Sequence, residues 1–553
     1  MSSILDQLDE QQREAAETLL GPVCILAGAG SGKTRTITHR IAYGIEAGYY
    51  SAQRVLALTY TSRAAAELRL RLRDLGAGAV QAKTFHSAAL AQLEHFWPLL
   101  TGGNRAPQVL EGKSKLLGEV AQNLKLQLDP AAIRDLAAEV EWRKYSLHSL
   151  PDYEALGRPG AGGLSAAKTL EMLTSYEAAK VAANRIDWED VLLLLLGLLR
   201  SEPSALAHVQ QQYRFFTVDE YQDISPLQQA LLTQWLGDRS DLCVVGDPNQ
   251  TIYSFTGASS SFLHGFVEEY PAAKVVRLTT NYRSTQQLVL AANKMRTNDA
   301  LELASALAPG RAPVVTQHPT AAVQASRVAA DIQQLLQSKQ ATPSQIAVLY
   351  RINGQSEAVE AALGKLGIEY QMRGGLRYFA RPEVRSAVQA LRAEIVSPSN
   401  KPTHQVLVDI IRALGWSADG PRVPAGVDEN YAAAVMGKWE SLNTLLLMLD
   451  EFPEGIGVEA FYRELEERQR SQHEPAKAAV TLATIHSAKG LEWDHVFVIG
   501  VNEGLLPISY ARTDAAIAEE QRLLYVAMTR AGKSLQLSFT ADQPPSRYLE
   551  LLR

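Results

Sequence analysis

A chain of 553 residues is too long to fold around one hydrophobic core, so several domains are expected. Its 46% hydrophobic and 21% charged residues are those of an ordinary globular protein, and the formal net charge of -6 excludes bulk attraction to a polyanion while leaving room for a local basic groove. Two cysteines, Cys24 and Cys243, each inside an apolar run, exclude a disulfide framework and a cysteine-rich zinc site, as suits a reducing cytoplasm.

The polar start, Met1 to Glu14, is unlike a secretory signal. Strands are predicted at Pro22–Leu26 and Arg54–Thr59, followed by a helical stretch over 87–184 in which Arg134–Trp142 is an amphipathic sample. Val191–Leu199 is the most apolar run, about half of the ~20 residues that span a bilayer, so no membrane partner is expected. Further strands are predicted at Phe215–Val218, Leu242–Val245, Lys274–Leu278 and Gln345–Tyr350. A second helical stretch covers 376–475, broken by a Gly- and Pro-marked loop at Gly420–Gly426. Strands at Ala479–Thr484, His495–Val501 and Ser534–Ser538 complete the chain. Apolar strands alternating with helices predict parallel sheets covered on both faces, in two α/β domains each interrupted by a helical insertion.

Ala27-Gly28-Ala29-Gly30-Ser31-Gly32-Lys33-Thr34 joins a strand to a helix that opens with Arg35. Successive backbone N–H groups in such a loop turn inward around a phosphate at the positive end of the helix dipole. Lys33 then reaches the β- and γ-phosphates and the Thr34 hydroxyl ligates Mg²⁺. Taken alone, a glycine-rich turn without ligand leaves the same trace. Phe215-Phe216-Thr217-Val218 leads into Asp219 and Glu220, which places two carboxylates at a strand end. One carboxylate is needed for the metal shell and the next to orient or deprotonate water, so Asp219 is read as the metal-shell residue and Glu220 as the base. A solvated acidic strand end is the bland alternative. The long gap between the two elements implies a domain inserted between them.

Further motifs resemble superfamily 1 helicases of the UvrD/Rep/PcrA group along nearly the whole chain. Leu8-Asp-Glu-Gln-Gln12 is similar to the Q motif, Thr59-Tyr60-Thr-Ser-Arg63 to motif Ia and Lys83-Thr84-Phe-His86 to motif Ib. Asp187-Trp-Glu-Asp190 resembles the segment that precedes the acidic motif. Asp247-Pro-Asn-Gln250-Thr-Ile-Tyr253-Ser-Phe255-Thr256-Gly257 is similar to motif III, and Asn281-Tyr282-Arg283 to motif IV. Thr484-Ile-His486-Ser-Ala-Lys489-Gly-Leu-Glu492 resembles motif V, and Tyr525-Val-Ala-Met-Thr529-Arg530 motif VI.

The resemblance implies two RecA-like P-loop domains, one at 1–88 with 185–280 and one at 281–375 with 478–553, carrying helical insertions at 89–184 and 376–477. It implies ATP between them, with Gln12 at the adenine edge, Tyr282 stacked on the base and Glu492 near the ribose. Gln250, Arg283 and Arg530 are expected at the γ-phosphate, where planar cations suit developing charge. Tyr60, Tyr253 and Phe255 are expected to stack on bases, and Thr59, Arg63, Thr84, His86, Thr484 and His486 to touch the strand backbone. The implied activity is that of an ATP-dependent single-stranded DNA translocase and 3′–5′ helicase. It would work on single strands and single-strand/duplex junctions, with repair or replication proteins as partners, in a bacterial cytoplasm at the nucleoid. A translocase that strips proteins from single strands, or an ATPase-silent nucleic-acid scaffold, are the alternatives.

Two departures qualify this expectation. Thr256 stands where relatives carry an arginine, which predicts a weaker grip on DNA; this motif form is similar to an actinobacterial branch whose members add a four-cysteine element and an HRDC domain. The sequence stops at Arg553, so neither addition is expected. The second insertion is short for the family, which predicts weak unaided unwinding.

Overall fold

The computed structural model describes residues 4–552 other than 129, 298–300, 374–378, 380, 400, 419, 421–437, 440, 444, 447, 451, 453–454, 471–477 and 510. The chain falls into two compact units, Met1–Gln324 with Ala488–Arg553, and Ala325–Ser487.

The first unit is built on six parallel strands: β1 (Val23–Ala27), β2 (Val55–Thr59), β3 (Gln81–Thr84), β4 (Phe215–Val218), β5 (Leu242–Gly246) and β6 (Lys274–Leu278). Their order is β3-β2-β4-β5-β1-β6. Residues alternate between the two faces, and both faces are covered. On one side Leu56, Leu58, Phe216 and Val244 meet α4 (Phe85–Leu100) and α9 (Trp188–Ser201) through Leu93, Leu192 and Leu195. On the other, Val23, Ile25, Ala57 and Val245 meet α2 (Lys33–Glu46) and α3 (Ser62–Asp74) through Ile37, Ile41, Leu68 and Leu72. The apolar run Val191–Leu199 is thus a core helix, and among the described residues no single helix is long and apolar enough to cross a membrane.

Parallel pairing sets every C-terminal strand end along one edge. Because β4, β5 and β1 are neighbours, the loops after them converge although their residues are far apart in sequence.

Between β3 and β4 the chain is mainly helical, as expected, apart from a short parallel pairing of Gln108–Val109 with Arg185–Ile186. Here α5 (Lys113–Asn123), α6 (Pro130–Tyr145), α7 (Leu150–Ala155) and α8 (Ala166–Ala182) enclose their own core of Leu117, Val120, Leu136, Met172 and Tyr176. A buried ionic joint fastens this subdomain to α9. Lys144 of α6 and Lys180 of α8 both reach Asp187 Oδ2, at 2.7 and 2.9 Å, and both also pair with Asp190 and Glu177. Asp187 is also the N-cap of α9, accepting from Asp190 N at 3.0 Å. Burial opposes its charge, but Lys144 and Lys180 outweigh that and hold its pKa far below the usual carboxylate range. The Asp187-Trp-Glu-Asp190 motif therefore anchors the inserted helices.

A second parallel ladder of the first unit has β12 (Ala531–Thr540) between β7 (Val314–His318) and β11 (Trp493–Val498). In the second unit, β10 (Val480–Thr484) lies between β8 (Ile346–Tyr350) and β9 (Tyr370–Arg373), again in parallel. Helices Pro382–Val396, Thr403–Ala413 and Val458–Arg470 of this unit pack around Val384, Leu391, Leu407, Ile411 and Phe461. The loop expected at Gly420–Gly426 lies, apart from Gly420, outside the described residues.

Strands β3, β7 and β9 were not expected from the sequence. Each ends its ladder, so each needs backbone pairing on one side only and carries polar side chains such as Gln81, Lys83, Thr316 and Gln371. The ends of β11 and β12 also differ from expectation: β11 starts at Trp493 rather than His495 and stops at Val498, and β12 runs on to Thr540.

Candidate nucleotide site and strand-binding face

The loop after β1 is shaped by backbone constraints. Gly30 and Gly32 take φ of 70° and 80°, the left-handed region that glycine enters without steric cost. A Cβ on Gly30 would also lie 2.6 Å from Asn281 Nδ2 and 2.9 Å from Arg283 Cβ. The loop carbonyls are tied outward: Asn281 Nδ2 donates to Ala29 O at 2.7 Å, Tyr282 N to Gly30 O at 2.9 Å, and Gln12 Nε2 to Ser31 O at 2.9 Å. Ser31 Oγ donates to Gly28 O at 2.8 Å. At the start of α2, Gly32 makes no side-chain cap, which leaves backbone N–H groups there for an anion. Arg35 turns away and donates to Gln7 O at 2.5 Å.

Opposite the loop, at the end of β4, Lys33 Nζ lies 3.1 Å from Glu220 Oε1. Glu220 has φ 54° and ψ 41°, a strained backbone for a residue with a side chain, costing roughly 1–3 kcal/mol. Its Oε2 accepts from Gln222 Nε2 at 2.5 Å, and Gln222 Oε1 accepts from Asp247 N at 3.1 Å. Asp247 in turn accepts from Gln250 Nε2 at 2.8 Å. Burial, then the neighbouring Glu220 charge, raises the Asp219 carboxyl well above the usual carboxylate range. Burial also opposes the Glu220 charge, but Lys33 and then Lys489 outweigh it and hold that carboxyl down. Two carboxylates facing one ammonium are short of positive charge, and a divalent cation would relieve them. Among the described residues no three His, Cys, Asp or Glu side chains form a metal cage, so Mg²⁺ at Thr34 and Asp219 would share its shell with phosphate oxygens and water.

Two arginines complete the ring of groups. Arg283 donates to Glu492 Oε2 at 2.5 Å and to Thr529 O at 3.1 Å. Arg530 is 2% exposed and donates to Val526 O and Leu491 O at 3.0 Å, to Thr529 Oγ1 at 3.1 Å and to Gln250 Oε1 at 3.5 Å. Burial, then Arg283, draws its pKa down to about 9. No carboxylate among the described residues pairs with this guanidinium, so it suits an anionic phosphate. The Tyr282 ring is 44% exposed beside the loop, with its hydroxyl donating to Asp9. All these groups belong to the first compact unit.

Residues 8–271 match the UvrD/REP helicase N-terminal domain, and residues 276–418 and 434–542 match the UvrD-like helicase C-terminal domain. The chain is 41% identical to the ATP-dependent DNA helicase UvrD2 of Mycobacterium tuberculosis over 97% of its own length and 79% of that protein. It belongs to the UvrD/Rep helicase family. Other relatives are also named ATP-dependent DNA helicases: PcrA of Leuconostoc citreum, at 28% identity, and UvrD1 of M. tuberculosis, at 29%, each over 97% of this chain and 82% of the relative. The family membership makes the fold α/β, with RecA-like P-loop domains and parallel sheets.

In this UvrD/Rep family member the aromatic residues expected on the strand path gather beyond the ends of β2 and β5. Tyr60 and Tyr253 stack, with ring centroids 5.3 Å apart and planes 16° from parallel. Beside them a cavity of about 200 Å³ is lined by Tyr60, His86, Tyr145, Asp223 and Thr256. His86 Nε2 lies 3.0 Å from the Tyr145 hydroxyl, and burial, then Lys113, lowers its pKa to about 4. Arg63 is exposed, whereas Thr59 is 1% exposed and the Thr84 hydroxyl caps α4. Thr484 and His486, both half-buried, belong to the second unit, and the Phe255 side chain lies outside those described.

Some residues given no role on sequence take central places. Lys489 Nζ bonds Asp223 Oδ2 and Gln250 O and lies 5.1 Å from the Tyr253 ring centroid. It sits inside motif V, where a lysine spaced from two expected site residues was the available signal. Tyr145, Lys144 and Lys180 come from the insertion, where no local pattern points to them.

Proposed function

We propose that this chain is an ATP-driven translocase on single-stranded DNA that separates strands in the 3′–5′ direction. The observation that carries the reading is one continuous set of contacts. Lys33, Glu220, Gln222, Asp247, Gln250 and Arg530 are joined in one chain of polar contacts, and Lys489 links Gln250 and Asp223 to the stacked pair Tyr253 and Tyr60.

ATP with Mg²⁺ supplies the phosphoryl bond whose cleavage drives the motion. Lys33 and the backbone of residues 27–32 bind the phosphates, and Thr34 and Asp219 hold the metal shell. Glu220 orients and deprotonates the attacking water. Gln250, Arg283 and Arg530 meet the charge that develops on the transferred group. Gln12 and Tyr282 receive the adenine and Glu492 the ribose. Tyr60, Tyr253 and Phe255 stack on bases, while Thr59, Arg63, Thr84, His86, Thr484 and His486 follow the backbone. The two RecA-like lobes divide as 1–88 with 185–280 and 281–375 with 478–553, with 89–184 and 376–477 as insertions. Closure about bound nucleotide and release after hydrolysis move the strand by steps. Junctions in repair or replication, within a bacterial cytoplasm, are the setting this activity fits.

The short second insertion favours one refinement: movement along single strands exceeds unaided duplex separation. The test is the ATPase rate with and without oligo-dT, followed by strand displacement on 3′- and 5′-tailed duplexes. Stimulation by oligo-dT with displacement of the 3′-tailed substrate is expected. A flat ATPase response overturns the reading, and preference for the 5′ tail overturns the polarity.

A further inference from the structure

A second cavity, of about 320 Å³, opens at the free edge of β3 between α4 and α10 (Pro203–Gln212), apart from the site described above. Its lining presents donors. Gln92 is 7% exposed and its Oε1 accepts from Trp235 Nε1 at 2.9 Å. An indole nitrogen can only donate, so the orientation of the amide is fixed. Gln92 Nε2 is left as a buried donor with no partner. Gln81 repeats the arrangement at the edge strand: its Oε1 accepts from the Tyr213 hydroxyl at 2.8 Å, which leaves its amide nitrogen over.

Charge points the same way. Lys83 is half-buried, and burial, then the nearby Arg69 guanidinium, draws its pKa below the ordinary lysine value. Among the described residues no carboxylate pairs with it. At the rim, His95 of α4 and His208 of α10 are exposed, with ring centroids 5.6 Å apart. Two imidazoles at that spacing could also suggest a transition metal, but Lys83 and Arg69 make the surroundings repel a cation.

We propose that this cavity is an oxyanion site that takes a phosphate group, held by Lys83, Gln92 and the His95–His208 pair. A backbone phosphate of the nucleic acid is one source, which rests on the function proposed above; a free phosphate or small phosphorylated molecule is the other. Unpaired donors around a partly desolvated ammonium are what a phosphate satisfies and what water satisfies less well.

Histidine ring resonances of the full chain, assigned with His95→Gln and His208→Gln, test this locally, because phosphate at the nucleotide loop leaves those two rings untouched. Inorganic phosphate is titrated against chloride at constant ionic strength, and oligo-dT is titrated separately. Phosphate is expected to move both resonances, and Lys83→Gln, with melting checked against wild type, to weaken the response at least tenfold. A matching shift with oligo-dT assigns the phosphate to the strand. A phosphate response without an oligo-dT response supports the site with a small ligand as its source. Resonances that stay still with both, or an unaltered response in the folded Lys83→Gln variant, overturn the proposal. ATPase stimulation by oligo-dT is read on the same samples, so loss of this site and loss of the translocase reading are separate results.

Discussion

Lys489 Nζ donates to the backbone carbonyl of Gln250 at 2.5 Å. The same ammonium neutralises buried Asp223 and lies near the face of Tyr253, so one side chain touches the loop after β5, the acidic segment after β4 and one ring of the Tyr60–Tyr253 stack. Replacement with methionine leaves Asp223 without its cation; burial already lifts that carboxyl to about 6 even with Lys489 beside it. Lys489→Met is expected to cut the ratio of oligo-dT-stimulated to unstimulated ATPase by about tenfold, the loss of ~1.4 kcal/mol of coupling. An unchanged ratio would remove Lys489 from the coupling path.

Lys33 and Glu220 separate binding from chemistry. Lys33→Ala removes the cation that faces both carboxylates and is expected to abolish hydrolysis and weaken nucleotide binding. Glu220→Gln keeps the shape and the Gln222 contact but removes the base, so kcat should fall by ~10²–10⁴ with nucleotide affinity retained. Fluorescent-nucleotide titration and steady-state ATPase check both. Residual turnover within tenfold of wild type in Glu220→Gln contradicts the assignment.

The ionic joint of the insertion gives a stability prediction. Lys180→Met leaves Asp187 and Asp190 to share Lys144, while Glu177 keeps Arg143 as well, with Asp187 only 1% exposed. Removing one partner of a buried pair costs about 3–5 kcal/mol, because the remaining charge stays desolvated. Urea unfolding should show it, and a change below about 1 kcal/mol would mean that the joint is not under load.

His86 gives a pH dependence. Its folded pKa, about 4, lies below the ordinary 6.5, so the unfolded chain binds the extra proton. The stability from the neutral ring is complete above pH 6.5 and is lost as pH falls through 6.5 towards 4. Allowing for partial exposure, on the order of 2 kcal/mol is involved. His86→Asn should flatten that part of the melting-temperature profile. Parallel wild-type and variant profiles between pH 7 and 4 would refute the assignment.

Thr256 tests the DNA grip. Its hydroxyl donates to Tyr253 O at 2.9 Å and it lines the cavity beside Tyr60. Thr256→Arg adds a cation beside that cavity, and should tighten single-strand binding and steepen the log–log salt slope by about 0.7. Affinity that stays the same across a salt series counts against a contact there.

Several elements were legible before folding because their signals are local. The loop from Ala27 to Thr34 shows its use in its glycines, two of which take positive φ. The buried strands β1, β2, β4 and β5 are continuous apolar runs, as two-sided burial requires. By contrast, β3 is polar and carries no strand signal of its own, since an edge strand is chosen by its neighbour's free hydrogen bonds rather than by its own composition.

The amino-acid sequence by itself marked the candidate residues for phosphate chemistry, the runs that form the core and the family the motifs resemble, because each depends on spacing within a few residues. Tertiary structure alone decided that Lys489 reaches Asp223 and Gln250, that Lys144 and Lys180 hold Asp187, and that Gln92 and Lys83 share a cavity. The Lys489 and Lys144 pairings span long stretches of chain, and the two closer ones cross from one element to the next; all follow from strand order and helix docking, so the free energy that selects them is spread over the core rather than written beside either partner.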